Sequence, residues 1–201
     1  MAFAAVDEHS IVGTARAVPI DLGPLFNNIG ATVETDLGRG GLNVWKNSLP
    51  AADLPAAGSL FRYTDVPFRF PEVGSGLPDN VRCEGQRVDL PPGRYDWIYL
   101  LACSERRSED VVHLHYASGE ADDEWLRVSD FWAAAPSHFG EVEAVPCSRI
   151  HFPRHVQRGI APRIWQQRLP VPRQQPLAYL RLPDNIAIHV FAMTAVSMGW
   201  C

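Results

Sequence analysis

Apolar and polar residues alternate from Val66 to Phe70, which places Val66, Phe68 and Phe70 on one face of a pleated strand. Further along, Trp97-Ile98-Tyr99-Leu100-Leu101-Ala102 is apolar on both faces, the pattern of a central strand covered from two sides. Between them run a Gly/Pro-rich loop, a second short strand and a Pro91-Pro92-Gly93 turn. The chain therefore reads as a β-sheet turning back on itself around Asp65 to Cys103.

The same pattern extends in both directions. Val18 to Phe26 leads into Asn27-Asn28-Ile29-Gly30, a turn signal because Asn and Gly tolerate positive φ. A polar loop carrying Glu34, Asp36, Arg39 and Asn43 follows, and the prolines in AADLPAAG limit that segment to one helical turn. DVVHLHY (110–116) is expected to pair across Ala117-Ser118-Gly119-Glu120 with EWLRV (124–128), with ADDE at the hairpin tip. Ala144 to Phe152 is β-like, Arg154 to Pro162 a basic loop, and Ile164–Val171, Ala178–Leu182 and the final IAIHVFAMTAV are strands. About nine or ten short strands with no sustained helical period predict an all-β, single-domain β-sandwich or jelly roll over residues 18–201. Residues 1–17 read as an N-terminal leader or edge segment.

Composition narrows the class of partner. The 201 residues carry a net charge of -5, with Lys and Arg spread along the chain, so no basic stripe follows nucleic-acid phosphates. No apolar run reaches the roughly twenty residues of a membrane-spanning helix. MAFAAVDEHSIVG has neither the basic start nor the apolar core of a signal peptide, and a cytoplasmic location is expected. Cys83, Cys103, Cys147 and Cys201 are widely spaced with no CxxC pair, which argues against a metal cage and for free thiols. A monomer or homodimer is expected.

Several turns, taken in order, resemble a known family: Phe26-Asn27-Asn28-Ile29-Gly30, SLPAADLP (48–55), Val66-Pro67-Phe68-Arg69-Phe70, Pro78-Asp79-Asn80-Val81, PPGRY (91–95) with Tyr99-Leu100-Leu101, and Leu182-Pro183-Asp184-Asn185. Together they are similar to the galactose-binding-like β-sandwich modules attached to bacterial glycoside hydrolases such as the α-mannosidases. The resemblance covers about residues 20 to 197 and implies a sandwich fold and carbohydrate binding. It also implies a structural calcium, for which Asn28, Glu34 and Asp36 are the oxygen donors at hand, although the last strand offers no acid. No other cofactor is expected.

Candidate chemistry is scattered. His113 and His115 share a strand face, and with Glu120 they are similar to the first metal motif of cupins; the upstream Gly and the second motif are missing, so they are assigned to a ligand-facing strand and no metal is assigned. His151, Arg154, His155, Arg158, Arg163 and Trp165 form a basic and aromatic group, with Arg158 and Trp165 suited to an anionic or ring-bearing ligand. These groups could converge with Trp45, Tyr63 or Trp132 on one sandwich face. Asp130, if buried near His151 or His155, would form an acid-base pair with them. VGSG (73–76) lacks the strand-turn-helix context of a nucleophile elbow, and phosphate loops are absent. The expected function is binding of a carbohydrate or other small ligand; the alternative is a cofactor-free cyclase, isomerase or lyase using Asp130, His151 and His155.

Overall fold

A computed structural model describes residues 11–12, 15–132 and 137–198, and its regular structure is almost wholly antiparallel strand. Nine strands of five or more residues carry the architecture: β1 (Ala15–Ile20), β2 (Arg87–Arg94), β3 (Trp97–Ser104), β4 (Ser108–Tyr116), β5 (Ala121–Val128), β6 (Val142–Pro146), β7 (Arg163–Pro170), β8 (Pro176–Arg181) and β9 (Ile188–Ser197). One sheet has the order β1-β9-β3-β7-β6, extended by Ile11–Val12 beside β1 and by Val81–Arg82 on β9. The other has the order β5-β4-β8-β2. They face each other as an all-β sandwich, as the strand pattern predicts.

Two apolar layers flank the first sheet. Between the sheets, Ile98 and Leu100 of β3 and Val190 and Met193 of β9 pack against Val112, Leu114, Leu126 and Leu180 of the other sheet. On the far face, Leu101, Cys103, Phe191 and Ala192 pack against Leu49, Phe68, Phe70, Phe131 and Ile150. That second layer is roofed by three small units: the hairpin of Leu60–Tyr63 with Val66–Arg69, the parallel pair Ala31–Thr32 with Leu49–Pro50, and the hairpin of Arg149–Phe152 with His155–Arg158. Strand β9 and the Leu100–Ser104 part of β3 are consequently covered on both faces, which is why apolar residues dominate them. A register shift between Val190 and Ala192 changes the phase of β9, so that Val190 and Met193 both point between the sheets.

Local detail departs from the pattern in four places. The strand that begins at Val66 is the second arm of a hairpin with Leu60–Tyr63, turning at Thr64 and Asp65 with φ of 45° and 64°. Pro91-Pro92-Gly93 is not the turn; it is a bulged continuation of β2, opposite a register shift between Leu177 and Tyr179 of β8. An edge strand tolerates this because its outward groups need no ladder partner. The ADDE segment begins β5 instead of forming a tip, since Ala121 pairs with His115. The basic loop after residue 152 is half strand, with Phe152 opposite His155. At the N-terminal side, β1 pairs with β9 from Arg16 to Ile20; residues 1–10 of the expected leader lie outside the described residues.

Candidate functional site

A cleft arises beside a mismatch in strand length. β6 pairs with β7 only from Arg163 to Gln166, whereas β3 accompanies β7 as far as Pro170. The outer edge of Gln167 to Pro170 is therefore left without a neighbouring strand. Gln167 covers part of it: its side-chain oxygen accepts from the Arg168 backbone N–H at 3.0 Å, and its amide donates to the Arg127 carbonyl on β5. Beside this edge opens a cleft of about 700 Å³.

Four aromatic residues line it, Trp97 and Tyr99 from β3, Trp125 from β5 and Phe139 from the segment before β6. Trp125 is 53% exposed, unusual for so large an apolar group. The polar lining includes Glu124, Arg127, Gln166 and Arg168. Arg127 is engaged by Glu109 at 2.5 Å, while the Arg168 guanidinium lies 4.6 Å from the centre of the Trp97 ring. Burial, helped by neighbouring Asp122, raises the Glu124 carboxyl above the usual carboxylate range.

The walls are held by specific bonds. Thr64, at the hairpin tip, donates its hydroxyl to the Gln166 side-chain oxygen at 2.8 Å, and the Tyr63 hydroxyl donates to the Glu143 carbonyl at 2.5 Å. Buried Glu141 accepts from the backbone N–H groups of Ser129 at 2.7 Å and Phe139 at 2.9 Å, fixing the segment that forms the third wall. These contacts orient the lining before any ligand arrives.

The residues singled out from the sequence fall in separate neighbourhoods. Asp130 accepts from the Trp132 N–H at 3.1 Å and lies 4.0 Å from His138. His151 is 1% exposed; its Nδ1 bonds the Thr32 hydroxyl at 2.8 Å, which in turn bonds Ser48, and burial lowers its pKa with help from Arg149. His155 stacks on Phe152 at 4.7 Å, and Arg158 is exposed on the same hairpin. Trp132 packs on Phe131, whereas Trp165 is a core residue, 3% exposed, donating its indole N–H to the Asp130 carbonyl at 2.9 Å. Trp45 is exposed on the loop after Leu42.

His113 and His115 do share a face, the outer one of the four-stranded sheet. His113 bonds Asp123 at 2.6 Å, and His115 stacks on Tyr179 at 4.3 Å. Of the ten expected site residues, Tyr63 alone stands beside the cleft, through Thr64. Trp97 and Tyr99 were hidden by their apolar context, where they read as core. Trp125 carried a usable signal: in Glu124-Trp125-Leu126-Arg127-Val128, Leu126 and Val128 point inward, so strict alternation turns the tryptophan outward.

The turns that carried the resemblance meet elsewhere, in a buried polar knot. Asp79, fully buried, accepts from the backbone N–H groups of Gly30 at 2.7 Å and Ala31 at 3.0 Å and from the Asn80 amide at 2.8 Å. Asn80 also donates to the Asn28 carbonyl at 3.1 Å, and His189 of β9 reaches the Leu42 carbonyl at 3.0 Å. Burial raises the Asp79 pKa to about 6 against these bonds and lowers that of His189 to about 4. The expected calcium donors do not fit an ion. Asn28 bonds Asn80 at 3.2 Å, Glu34 pairs with Arg149 at 3.1 Å and Asp36 with Arg39 at 2.9 Å. Among the described residues, no group of three or more His, Cys, Asp or Glu is placed to hold a metal.

Fold and cleft together define a β-sandwich domain with a preformed lateral cleft. The family model for the AziU2-like β-sandwich domain matches residues 15–198, and the chain belongs to that family. No curated protein matches it.

Proposed function

We propose that this β-sandwich domain binds a small cyclic polyol, a ligand of the saccharide class, in the cleft between β3, β5 and β7. The observation that carries the reading is the combination of Trp97, Tyr99 and exposed Trp125 with amide, carboxylate and guanidinium groups around one cleft of about 700 Å³. That volume suits a small ligand. A sugar ring presents apolar C–H faces to aromatic surfaces and hydroxyls to hydrogen-bonding side chains, which matches this lining. The resemblance of the turns to galactose-binding-like modules supports the same class. Asp130, His151 and His155 stand apart from the cleft, so binding is favoured over acid-base turnover by that trio.

The test is calorimetry and tryptophan fluorescence on the full chain with glucose, galactose, mannose and their uronic acids. At least one should bind, and Trp125→Ala should weaken that binding about tenfold or more without lowering the melting temperature. Silence across the panel, or unchanged affinity in Trp125→Ala, would refute the assignment.

A further inference from the structure

Resting on that reading, we infer that the ligand carries a carboxylate, an acidic monosaccharide of the uronic type, and that Arg168 is the residue that selects it. The two arginines lining the cleft differ in their engagement. Arg127 is bound to Glu109 at 2.5 Å. Arg168 is exposed, and among the described residues no carboxylate pairs with it; its guanidinium lies 4.6 Å from the centre of the Trp97 ring. An indole beneath a guanidinium holds the planar donor fork without using its N–H groups, leaving them for a two-point bond to a carboxylate. A neutral sugar offers this fork only uncharged hydroxyl and ring oxygens, which bind it more weakly than a carboxylate does.

The opposite wall limits the charge. Glu124 comes from the other sheet and makes no ion pair among the described residues. A sugar phosphate, carrying about -1.5 to -2 charges, would meet more repulsion from it than a singly charged carboxylate does. Glu124 is placed instead to accept hydrogen bonds from ring hydroxyls.

Calorimetry on the full chain with galactose, galacturonate, glucose, glucuronate and glucose 6-phosphate tests this. One uronate should bind at least about tenfold tighter than its neutral parent, and Arg168→Gln should abolish that preference while its melting curve stays that of the wild type. Equal affinity for the neutral and acidic sugars, a preference that survives Arg168→Gln, or tightest binding of the phosphate would overturn the role of Arg168 and leave the cleft assignment standing. Silence towards all five would overturn both.

Discussion

Thr64 and Gln166 are joined by a 2.8 Å hydrogen bond across the rim of the cleft, although Thr64 must adopt a φ of 45° to make it. A β-branched residue rarely occupies that region, and the cost is on the order of 1–2 kcal/mol. The bond ties the hairpin tip to the strand that carries Arg168, so the strained backbone is part of how the cleft keeps its shape.

Substitution at Thr64 should separate strain from bonding. Thr64→Gly removes both the strain and the hydroxyl, and its unfolding free energy should stay within about 1 kcal/mol of the wild type. Thr64→Val keeps the strain and loses the bond, so it should be the less stable of the two by about 1–2 kcal/mol. Urea denaturation decides the order: a Thr64→Val protein as stable as Thr64→Gly would show that the strain costs nothing, and one as stable as the wild type that the bond contributes nothing.

Gly30 admits no side chain. A Cβ there would lie 2.5 Å from the Asn80 amide nitrogen and 2.8 Å from the Phe191 ring, while the Gly30 N–H is already committed to Asp79. Both neighbours are fully buried. Gly30→Ala should destabilise the chain by about 1–3 kcal/mol, read as a lower denaturation midpoint with an unchanged slope.

The Asp79 and His189 titrations should oppose each other. Burial raises Asp79 to about 6 in the folded chain, so its folded state holds a proton that the unfolded state has released, and stability falls as pH rises from about 4 to 6. Burial lowers His189 to about 4, so its unfolded state binds the proton first, and stability falls as pH drops from about 6.5 to 4. The two slopes largely cancel between pH 4 and 6. His189→Gln should therefore lose ground to the wild type as pH rises through that window, and Asp79→Asn should gain on it. Denaturation curves at several pH values, compared variant against wild type, would expose any slope of the opposite sign.

Cys83, Cys103 and Cys147 are buried free thiols, and burial raises all three pKa values, that of Cys147 to about 12. Iodoacetamide at pH 8 should leave them unmodified in the native chain and label them once denaturant is added, as peptide mass spectrometry would record. Rapid native labelling of any of the three would contradict the packing of its core.

Much of the fold was legible because burial on two faces leaves a plain mark. The runs at Leu100–Cys103 and Val190–Met193 are apolar throughout since each is covered from both sides, and Val66, Phe68 and Phe70 alternate with Arg69 exposed between the last two. The cleft was not legible, because it depends on where a neighbour stops. Nothing in Gln167 to Pro170 announces that β6 ends beside Gln166, so Trp97 and Arg168 could not be recognised as facing open space. The histidines misled for a related reason: a residue type carries its chemistry into any setting, and His151 bonded to Thr32 looks in sequence like His155 stacked on Phe152. The Asn and Asp turns at residues 27–30 and 78–81, which carried the resemblance, build the buried polar knot and do not line the cleft.

β9 is the last of the described strands in chain order, and it lies between β1 and β3 with every residue from Ile188 to Val196 buried. During synthesis, the earlier strands must wait on the ribosome with both apolar layers open until residues 188–197 emerge. The pairing of β1 with β9 joins residues about 180 positions apart, the kind of non-local contact that forms slowly, and until it forms the apolar layers stay open to aggregation.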